Sequence, residues 1–369
     1  MTLSRLLKKG TGSELARENP AKNGGREVPV PLFQLSKINA VCTALALILA
    51  LLGGCNPPPQ KAAPTAPPSA AKKKEYAFAL IAKNQGNPVF QAARVGAEDA
   101  ARELGQKLGL SIKTLWRTPN EEDAQKQAES IEQLVAQGVD GLAVSCTVAE
   151  TVTPAINAAV DQGVAVICFD SDAPASKRFC FYGTDDFGSG RTIMRELAAV
   201  LGPGKHIVAV PGGNQNAANI QNRVRGALEE AKQHPNITIK GVFYSKETPQ
   251  DAAAKIEEVQ TANPDIDGWA MIGSWSLFTD ALMKWEPGKV KIVAMDALPA
   301  ELPYLEKGIV AKLYAQQTYQ WGYRAMELLV AKVILGQPPK EVIEYSPLLP
   351  VTRDQAKAFG EKWKKWLRQ

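Results

Sequence analysis

Short apolar runs alternate with amphipathic segments along the chain from Tyr76 onward. The apolar runs have the length of buried strands, and the segments between them carry apolar residues at three- and four-residue spacing, as helices do. This alternation predicts β/α units that build parallel sheets. The predicted strands are 76–82, 111–116, 141–145, 164–169, 179–182, 206–210, 237–244, 269–272, 290–295 and 310–313.

The helical segments fall between these strands, and the strand-helix cycle restarts after residue 183. The predicted helices are 89–108, 121–137, 149–162, 190–201, 217–234, 249–261, 277–284, 299–307 and 319–335. Two such sets exceed what one hydrophobic core comfortably holds. The sequence therefore predicts an α/β protein with two doubly wound parallel-sheet lobes.

The C-terminal segment 354–369 has a different pattern, with Phe359, Trp363, Trp366 and Leu367 along one helical stripe and Lys and Arg around it. This pattern predicts an amphipathic helix. Two interpretations stay open: the helix docks on its own lobe, or its apolar stripe contacts a membrane surface or a partner.

The N-terminal region carries a candidate export signal. An uncharged, Ala/Leu-rich run follows Lys37, starts at Ile38 and ends in Leu52-Gly53-Gly54-Cys55. It resembles a bacterial lipoprotein signal, and it is short for a membrane span, which needs about 20 apolar residues. An uncleaved signal anchor is the alternative. If the segment is a lipoprotein signal, residues 1–54 are an N-terminal extension and signal segment, and Cys55 is the lipidated first residue of an exported protein.

Residues 55–75 join this cysteine to the folded body. The stretch after Cys55 is dominated by Pro, Ala and Lys, which is typical of an extended linker. We therefore expect a protein of the cell envelope, anchored by lipid to the membrane on its periplasmic side.

Charge and cysteine content argue against a nucleic-acid-binding protein and against a disulfide-stabilised fold. Residues 1–54 contribute a net charge of +4 to the +5 of the whole chain, so the body gives no support for a nucleic-acid partner. The body has three cysteines, Cys146, Cys168 and Cys180, which is not a disulfide framework. Buried free thiols are favoured. A bridge between Cys168 and Cys180 stays open as the alternative.

Polar residues follow the predicted strands, where ligands gather in open parallel sheets. They are acids, amides, hydroxyls and aromatics, a mixture that suits a polyhydroxylated ligand. The positions are Lys83 to Phe90, Ser145-Cys146-Thr147, Asp170-Ser171-Asp172, Gly212 to Asn216, Ser274-Trp275-Ser276, Asp296 and Gln316-Gln317.

Short motifs between Tyr76 and about Val351 carry a family resemblance. They are Gly86-Asn87-Pro88-Val89-Phe90 with Gly96 and Ala97, Val166-Ile167-Cys168-Phe169-Asp170, Gly183-Thr184-Asp185, Arg223-Val224-Arg225-Gly226, Ile292-Val293-Ala294-Met295-Asp296, and Ala315-Gln316. In this order and spacing they resemble the ribose/galactose-type periplasmic binding proteins of ABC transporters. The resemblance implies the type I fold, whose two lobes are joined by a multi-strand hinge. It divides the body into an N-terminal lobe, 76–183 plus 317–342, and a C-terminal lobe, 184–316 plus 343–353.

The resemblance also implies roles for individual residues. Asn87 and Phe90 would lie in the cleft, with Phe90 stacking on the ligand. Asp170 and Asp296 would hold ligand hydroxyls from opposite lobes, and Gln316 would lie near the hinge. Polar groups of sugar-binding members correspond in position to Ser145 and Ser274, and Trp275 follows the latter.

Two positions depart from the ribose-type pattern. Ser171 and Gln221 stand where those members have arginines, so two bidentate donors are absent and a ribose pose does not carry over. Lys83 could replace one cation. Lys at that position with the Asp170-Ser171-Asp172 turn looks like the branch that includes the autoinducer-2 binders.

Structural roles for some of these residues stay open as alternatives. Asp170 or Asp296 could cap the next helix. Lys83 could be a solvated strand end. Trp275 could belong to a core rather than to a stacking platform.

The leading functional hypothesis is a tethered receptor, expected to be a monomer, whose lobes close on a sugar or polyol and present it to an ABC permease. A sensory lipoprotein that reports to a chemoreceptor or kinase is the alternative. The sequence shows no nucleophile elbow and no metal-spaced Cys/His cluster, so we expect no enzyme, no metal and no cofactor. A repressor would need a helix-turn-helix before Tyr76, where the Pro-rich linker stands.

Overall fold

The computed structural model describes residues 73–368. The predicted signal segment, the lipid site at Cys55 and the linker up to residue 72 lie outside these residues. Between residues 73 and 368, every helix is too short or too polar to span a bilayer.

The first lobe is built on a six-stranded parallel sheet with strand order β11-β5-β4-β3-β1-β2. Its strands are β1 (Glu75–Ile81), β2 (Ser111–Trp116), β3 (Gly141–Val144), β4 (Ala165–Phe169), β5 (Cys180–Thr184) and β11 (Ile343–Ser346). Its helices are α1 (Pro88–Leu108), α2 (Ala124–Ala136), α3 (Ala149–Asp161) and α8 (Thr318–Val333).

The second lobe repeats this architecture, with strand order β12-β10-β9-β8-β6-β7 and only β12 antiparallel to its neighbour. Its strands are β6 (His206–Gly212), β7 (Ile237–Tyr244), β8 (Gly268–Met271), β9 (Lys291–Met295), β10 (Lys312–Ala315) and β12 (Leu349–Val351). Its helices are α4 (Asp186–Leu201), α5 (Ala218–Ala231), α6 (Pro249–Ala262) and α7 (Leu302–Lys307). The predicted fold class of two parallel-sheet lobes is confirmed.

The chain crosses between the two sheets three times: after β5, after β10 and between β11 and β12. The last crossing corrects one part of the predicted division. That division places residues 343–346 in the C-terminal lobe, but β11 pairs in parallel with β5 of the first sheet. The physical reason is that α8 lies on the first sheet and returns the chain to its open edge beside β5, so the crossing comes only after Ser346.

Glycine contacts bring one helix pair of each lobe unusually close together. In the first lobe, a Cβ on Gly96 of α1 would lie 2.0 Å from the Tyr319 carbonyl oxygen of α8. In the second lobe, a Cβ on Gly190 of α4 would lie 1.9 Å from the Arg223 carbonyl oxygen of α5. Only glycine permits these backbone contacts. They hold α1 close against α8 and α4 close against α5.

The predicted helix 277–284 is wrong. This segment forms two short 3-10 helices, Trp275–Leu277 and Ala281–Lys284. The buried Tyr304 hydroxyl donates to the Thr279 carbonyl at 2.6 Å and accepts from the Leu282 N–H at 3.2 Å. Because this tertiary contact takes backbone groups that an α-helix needs, the regular helical pattern is interrupted.

The C-terminal helix α9 (Ala356–Trp366) contacts both lobes. Its Trp363 is buried and donates from Nε1 to the carbonyl of Ala297, in the loop after β9, at 2.7 Å. Its Trp366 ring stacks on Tyr319 of α8, with ring centroids 5.9 Å apart. The following Arg368 donates to Glu98 and Asp99 of α1 at 2.9 and 3.0 Å. The helix therefore docks across the two lobes rather than on one of them.

Candidate functional site

The carboxyl ends of β1, β3 and β4 place Lys83, Ser145 and Asp170 together in the first lobe. The Ser145 hydroxyl donates to Asp170 Oδ2 at 2.7 Å, and Lys83 Nζ lies 3.9 Å from the same oxygen. All three side chains are buried. Burial acts to lower the pKa of Lys83, but the carboxylates of Asp170 and Glu247 outweigh burial and raise it. The ammonium group therefore stays charged inside the interface, which excludes the solvated strand end.

The second lobe places Asp296, Ser274 and Glu301 in an equivalent position. Ser274 Oγ lies 3.4 Å from Asp296 Oδ2 and donates to Glu301 Oε1 at 2.9 Å. The side chain of Glu301 is fully buried, and its Oε2 atom has no hydrogen-bond partner among residues 73–368. Burial raises the pKa of Glu301 well above its usual range, and the charge of Asp296 raises it further. Both effects favour the protonated form of Glu301, which shares the Ser274 hydroxyl with Asp296.

Gln316 links the hinge to the second lobe. Its Nε2 donates to Asp296 Oδ1 at 2.7 Å, while its Oε1 accepts from Thr184 Oγ1 at 2.9 Å and from Arg223 Nη2 at 3.0 Å. Arg223 also donates from Nε to Asp186 Oδ1 at 2.7 Å. Burial raises the pKa of Asp186 to about 6, although Arg223 works in the opposite direction. The two chain crossings that precede α4 and α8 therefore each contribute a residue to this network, Thr184 and Gln316.

Contacts between the lobes join the two halves of the network. Lys83 of the first lobe donates to Asn219 Oδ1 of α5 in the second lobe at 3.4 Å. Burial is the main cause of the raised pKa of Asp296, and the charge of Asp170 across the interface raises it further. The two aspartates therefore face one shared polar region rather than separate cores.

Backbone geometry also singles out Asp170 and Asp296. Their φ angles are 58° and 70°, and Arg368 is the other non-glycine residue with positive φ in the part of the chain described. Left-handed geometry is unfavourable for residues with a side chain, and Asp tolerates it better than most. Asp170 accepts from Ser145 and Asp296 from Gln316, so each side chain turns into the interface instead of capping a helix.

The other residues predicted to bind ligand have more varied surroundings. Asn87 lines the open cleft between the lobes and caps α1 by accepting from the Val89 N–H at 3.1 Å. Phe90 and Ser171 are buried in the first lobe. Trp275 is also buried, with its ring against Gly213 and Gly273, which favours a packing role. Gln221 is exposed and donates to the Gln215 carbonyl, so the structure does not bring it into the network.

Sequence reasoning missed four residues of this network. The sequence analysis named Arg223 only as part of a motif, and it did not name Asn219, Asp186 or Glu301 as candidate site residues. Arg223 and Asn219 lie on one face of α5 because they are four residues apart. Gln221 is two residues from each and faces away. Helical periodicity within the motif around Arg223 was the signal that could have identified the inward face.

The three thiols of the body are free and buried, as the sequence favoured. Cys146 and Cys168 lie side by side with their sulfur atoms 3.9 Å apart, and Cys180 contacts the Glu341 carbonyl instead. Over residues 73–368, no group of three or more His, Cys, Asp or Glu side chains could hold a metal ion.

Comparison with protein families matches residues 78–338 to a family described as a periplasmic binding protein domain. Among characterised proteins, the chain is 29% identical over 139 residues to the ribose import binding protein of Bacillus subtilis strain 168. This alignment covers 38% of the chain and 43% of that protein. The chain is also 23% identical over 275 residues to the D-ribose/D-allose-binding protein of Pseudomonas aeruginosa, which covers 71% of the chain and 83% of the relative.

Among solved structures, the chain is similar to a solute-binding protein of an ABC transporter from Burkholderia graminis C4D1M, determined in complex with D-arabinose. The two share 25% sequence identity and superpose with a TM-score of 0.72. The match covers 77% of this chain and 98% of that one.

Proposed function

Because this chain belongs to the periplasmic binding protein domain family, we propose that it is the sugar-binding receptor of an ABC importer. In this proposal a sugar or polyol binds between the two lobes. The lobes close on it by rotation about the three crossing strands, and the closed form presents it to a permease. No bond is made or broken.

The observation that carries the proposal is the polar network between the lobes, with Asp170 contributed by one lobe and Asp296 by the other. Carboxylate, amide and guanidinium groups are the planar acceptors and donors that sugar hydroxyls need. Closure is favoured because only the closed form lets both lobes contact the ligand. The names of the relatives, which bind ribose, allose or arabinose, support the same ligand class.

The proposed ligand-binding residues are those predicted from the sequence, together with Arg223 and Asn219. Lys83, Asp170, Asp296 and Gln316 would make the main polar contacts. Asn87, Phe90, Ser145, Ser171, Gln221, Ser274 and Trp275 remain proposals as ligand contacts. For localisation we propose export to the periplasmic side of the membrane and anchoring through lipid on Cys55, with the protein acting as a monomer.

Isothermal titration calorimetry of the purified protein against pentoses, hexoses and polyols tests the proposal. We expect at least one sugar to bind with a stoichiometry of one per chain and to raise the unfolding temperature. Failure of every sugar and polyol in a broad panel to bind would count against the proposed function.

A transport assay separates import from sensing. Cells that lack the gene should lose uptake of the radiolabelled ligand and regain it with the wild-type gene. If uptake is unchanged while ligand-dependent gene expression or chemotaxis is lost, the sensory alternative is correct.

A further inference from the structure

An open cleft of about 1250 Å³ lies between the lobes, outside the buried network of Asp170 and Asp296. Both lobes line it. Among its lining residues are Asn84, Asn120 and Glu122 of the first lobe, and Asn214, Tyr244 and Glu247 of the second. We propose that this outer cleft binds a second unit of the ligand, so that the natural ligand is a glycoside or short oligosaccharide rather than a free monosaccharide. The inference rests on the proposed sugar-binding function.

The volume of the cleft exceeds what one sugar ring needs. Pockets for drug-sized ligands range from roughly 300 to 1,000 Å³, and a single sugar ring is smaller than such ligands. A ring held by Asp170 and Asp296 would leave the outer cleft to water. A second ring linked to the first would fill it and bring further polar groups into contact.

The outer cleft offers hydrogen-bonding groups of the kind that sugars use. Asn84 Oδ1 accepts from the Asn87 N–H at 2.9 Å, and Asn214 Oδ1 accepts from the Asn216 N–H at 3.0 Å. Because an N–H requires an oxygen acceptor, these contacts fix the orientation of both amides. Within residues 73–368 the NH₂ groups of Asn84 and Asn214 donate to no protein atom. One donor from each lobe is therefore available to ligand hydroxyls.

Tyr244 gives the cleft an aromatic surface. It is a large side chain at the end of β7 that is 40% exposed, although it lines the cleft. Its ring rests on Gly212, where a Cβ would lie only 2.5 Å from ring carbon Cδ1. Glycine at this position lets the ring lie against the backbone while the side chain stays partly exposed in the cleft. Such a held aromatic face is suited to packing against the C–H face of a sugar ring.

The outer cleft is electrostatically continuous with the inner network. Lys83 lies 3.9 Å from Asp170, and the charges of Glu247 and Glu122 also act on it. Glu247 accepts from the Asn214 N–H at 2.9 Å, which ties this carboxylate to the loop that lines the cleft. A ligand that spans both regions would therefore contact one connected set of polar groups.

Calorimetry with matched ligands tests the inference. The sugar that binds in the panel is compared with its methyl glycoside and with the di- and trisaccharides that contain it. We expect the best disaccharide to bind at least tenfold more tightly than the monosaccharide. Tyr244→Ala should weaken binding of the disaccharide at least fivefold and leave the monosaccharide affinity unchanged.

Two further variants complete the design. Asn120→Ala, on the first-lobe side of the cleft, should weaken only the disaccharide. Tyr345→Ala removes a tyrosine that is 55% exposed on β11 and does not line the cleft, so it should change neither affinity. Thermal unfolding confirms that each variant is folded.

The outcomes are distinguishable. If the monosaccharide binds as tightly as every longer saccharide, or if Tyr244→Ala weakens both equally, the inference is overturned and the proposed function stands. If only a polyol binds, the inference is overturned and the proposed function stands; if no saccharide of any length and no polyol binds, both are overturned.

Discussion

The left-handed backbone of Asp170 and Asp296 is the clearest feature at the scale of single residues. This geometry costs roughly 1–2 kcal/mol for a residue with a side chain. Strain of this kind persists where the surrounding structure holds a group in a required position. The two aspartates occupy equivalent strand ends in the two lobes, so the same local device directs a carboxylate into the interface from each side.

Replacement of Asp170 by Asn should weaken ligand binding by roughly 10- to 100-fold. The variant removes the negative charge of the carboxylate that accepts a hydrogen bond from Ser145 and attracts Lys83. A hydrogen bond to a charged group contributes about 1.5–3 kcal/mol, and about 1.4 kcal/mol is a tenfold change in affinity. Calorimetry provides the measurement, and Asp161→Asn on the exposed face of the same lobe is the control. Equal affinities of the two variants would show that Asp170 does not contact the ligand.

Replacement of Glu301 by Gln should change how stability depends on pH. In the unfolded chain this carboxyl ionises near the ordinary glutamate pKa of 4.5, whereas burial raises the pKa in the folded state. Above pH 4.5 the folded state therefore binds more protons than the unfolded state, and the stability of the wild type falls as pH rises. Gln has no proton to lose, so the stability of the variant relative to the wild type should increase from pH 4.5 towards higher pH.

Urea denaturation of both proteins between about pH 4.5 and 8 measures this difference, with the exposed Glu132→Gln as the control. Parallel stability curves for wild type and Glu301→Gln would mean that Glu301 ionises normally in the folded protein.

At the scale of elements, α9 contributes to stability through one buried tryptophan. Trp363 is 2% exposed, donates to the Ala297 carbonyl and packs edge-on against Trp366 at 5.3 Å. Trp363→Ala should lower the free energy of unfolding by about 3–5 kcal/mol, because it leaves a cavity and an unpaired carbonyl. Lys364→Ala, its exposed neighbour on the helix, should change stability by less than about 0.5 kcal/mol. If urea denaturation gives similar free energies of unfolding for Trp363→Ala and Lys364→Ala, Trp363 does not pack against the body of the protein as described.

Most elements were predictable because their apolar pattern is strong. The ten predicted strands are all present, with ends shifted by up to two residues, and β2 and β7 match in full. The strands β11 and β12 were missed because they are short edge strands with exposed apolar side chains, for example Ile343 and Tyr345 of β11, and so lack a buried run. Helix 277–284 was predicted wrongly because a contact with the distant Tyr304, invisible in local sequence, overrides its helical pattern.

The candidate site was predictable to the extent that it follows strand ends. Lys83, Ser145, Asp170, Ser274 and Asp296 all lie at carboxyl ends of strands, and the structure gathers them at one interface. Residues contributed by helices were harder to identify because their facing depends on packing. Arg223 and Asn219 lie on α5, whose position is set by close glycine contacts with α4.

For the whole molecule, membership of a binding-protein family confirms the prediction that the chain is not an enzyme. The two lobes also share buried apolar residues. One continuous cluster contains Phe78 of the first sheet and Trp269 of the second, together with Trp363 of α9. Three crossing strands and a shared core couple the folding of the lobes.

Thermal unfolding should therefore show a single cooperative transition without ligand. Saturating ligand should raise the unfolding temperature by mass action. At a ligand concentration of 100 times Kd, binding adds about 2.7 kcal/mol to the free energy of unfolding. Differential scanning calorimetry measures both effects. Two resolved transitions, of which ligand shifts only one, would show that the lobes unfold independently.

The position of β11 has a consequence for biosynthesis. The first sheet begins at Glu75 but receives its last strand only at Ser346, near the end of the chain. Because the chain is delivered from its N-terminus, the earlier part of this sheet has an open edge until the second lobe has been delivered. Chains that lack residues 343–346 would leave the β5 edge exposed to other strands, so we expect them to aggregate more readily than the complete chain.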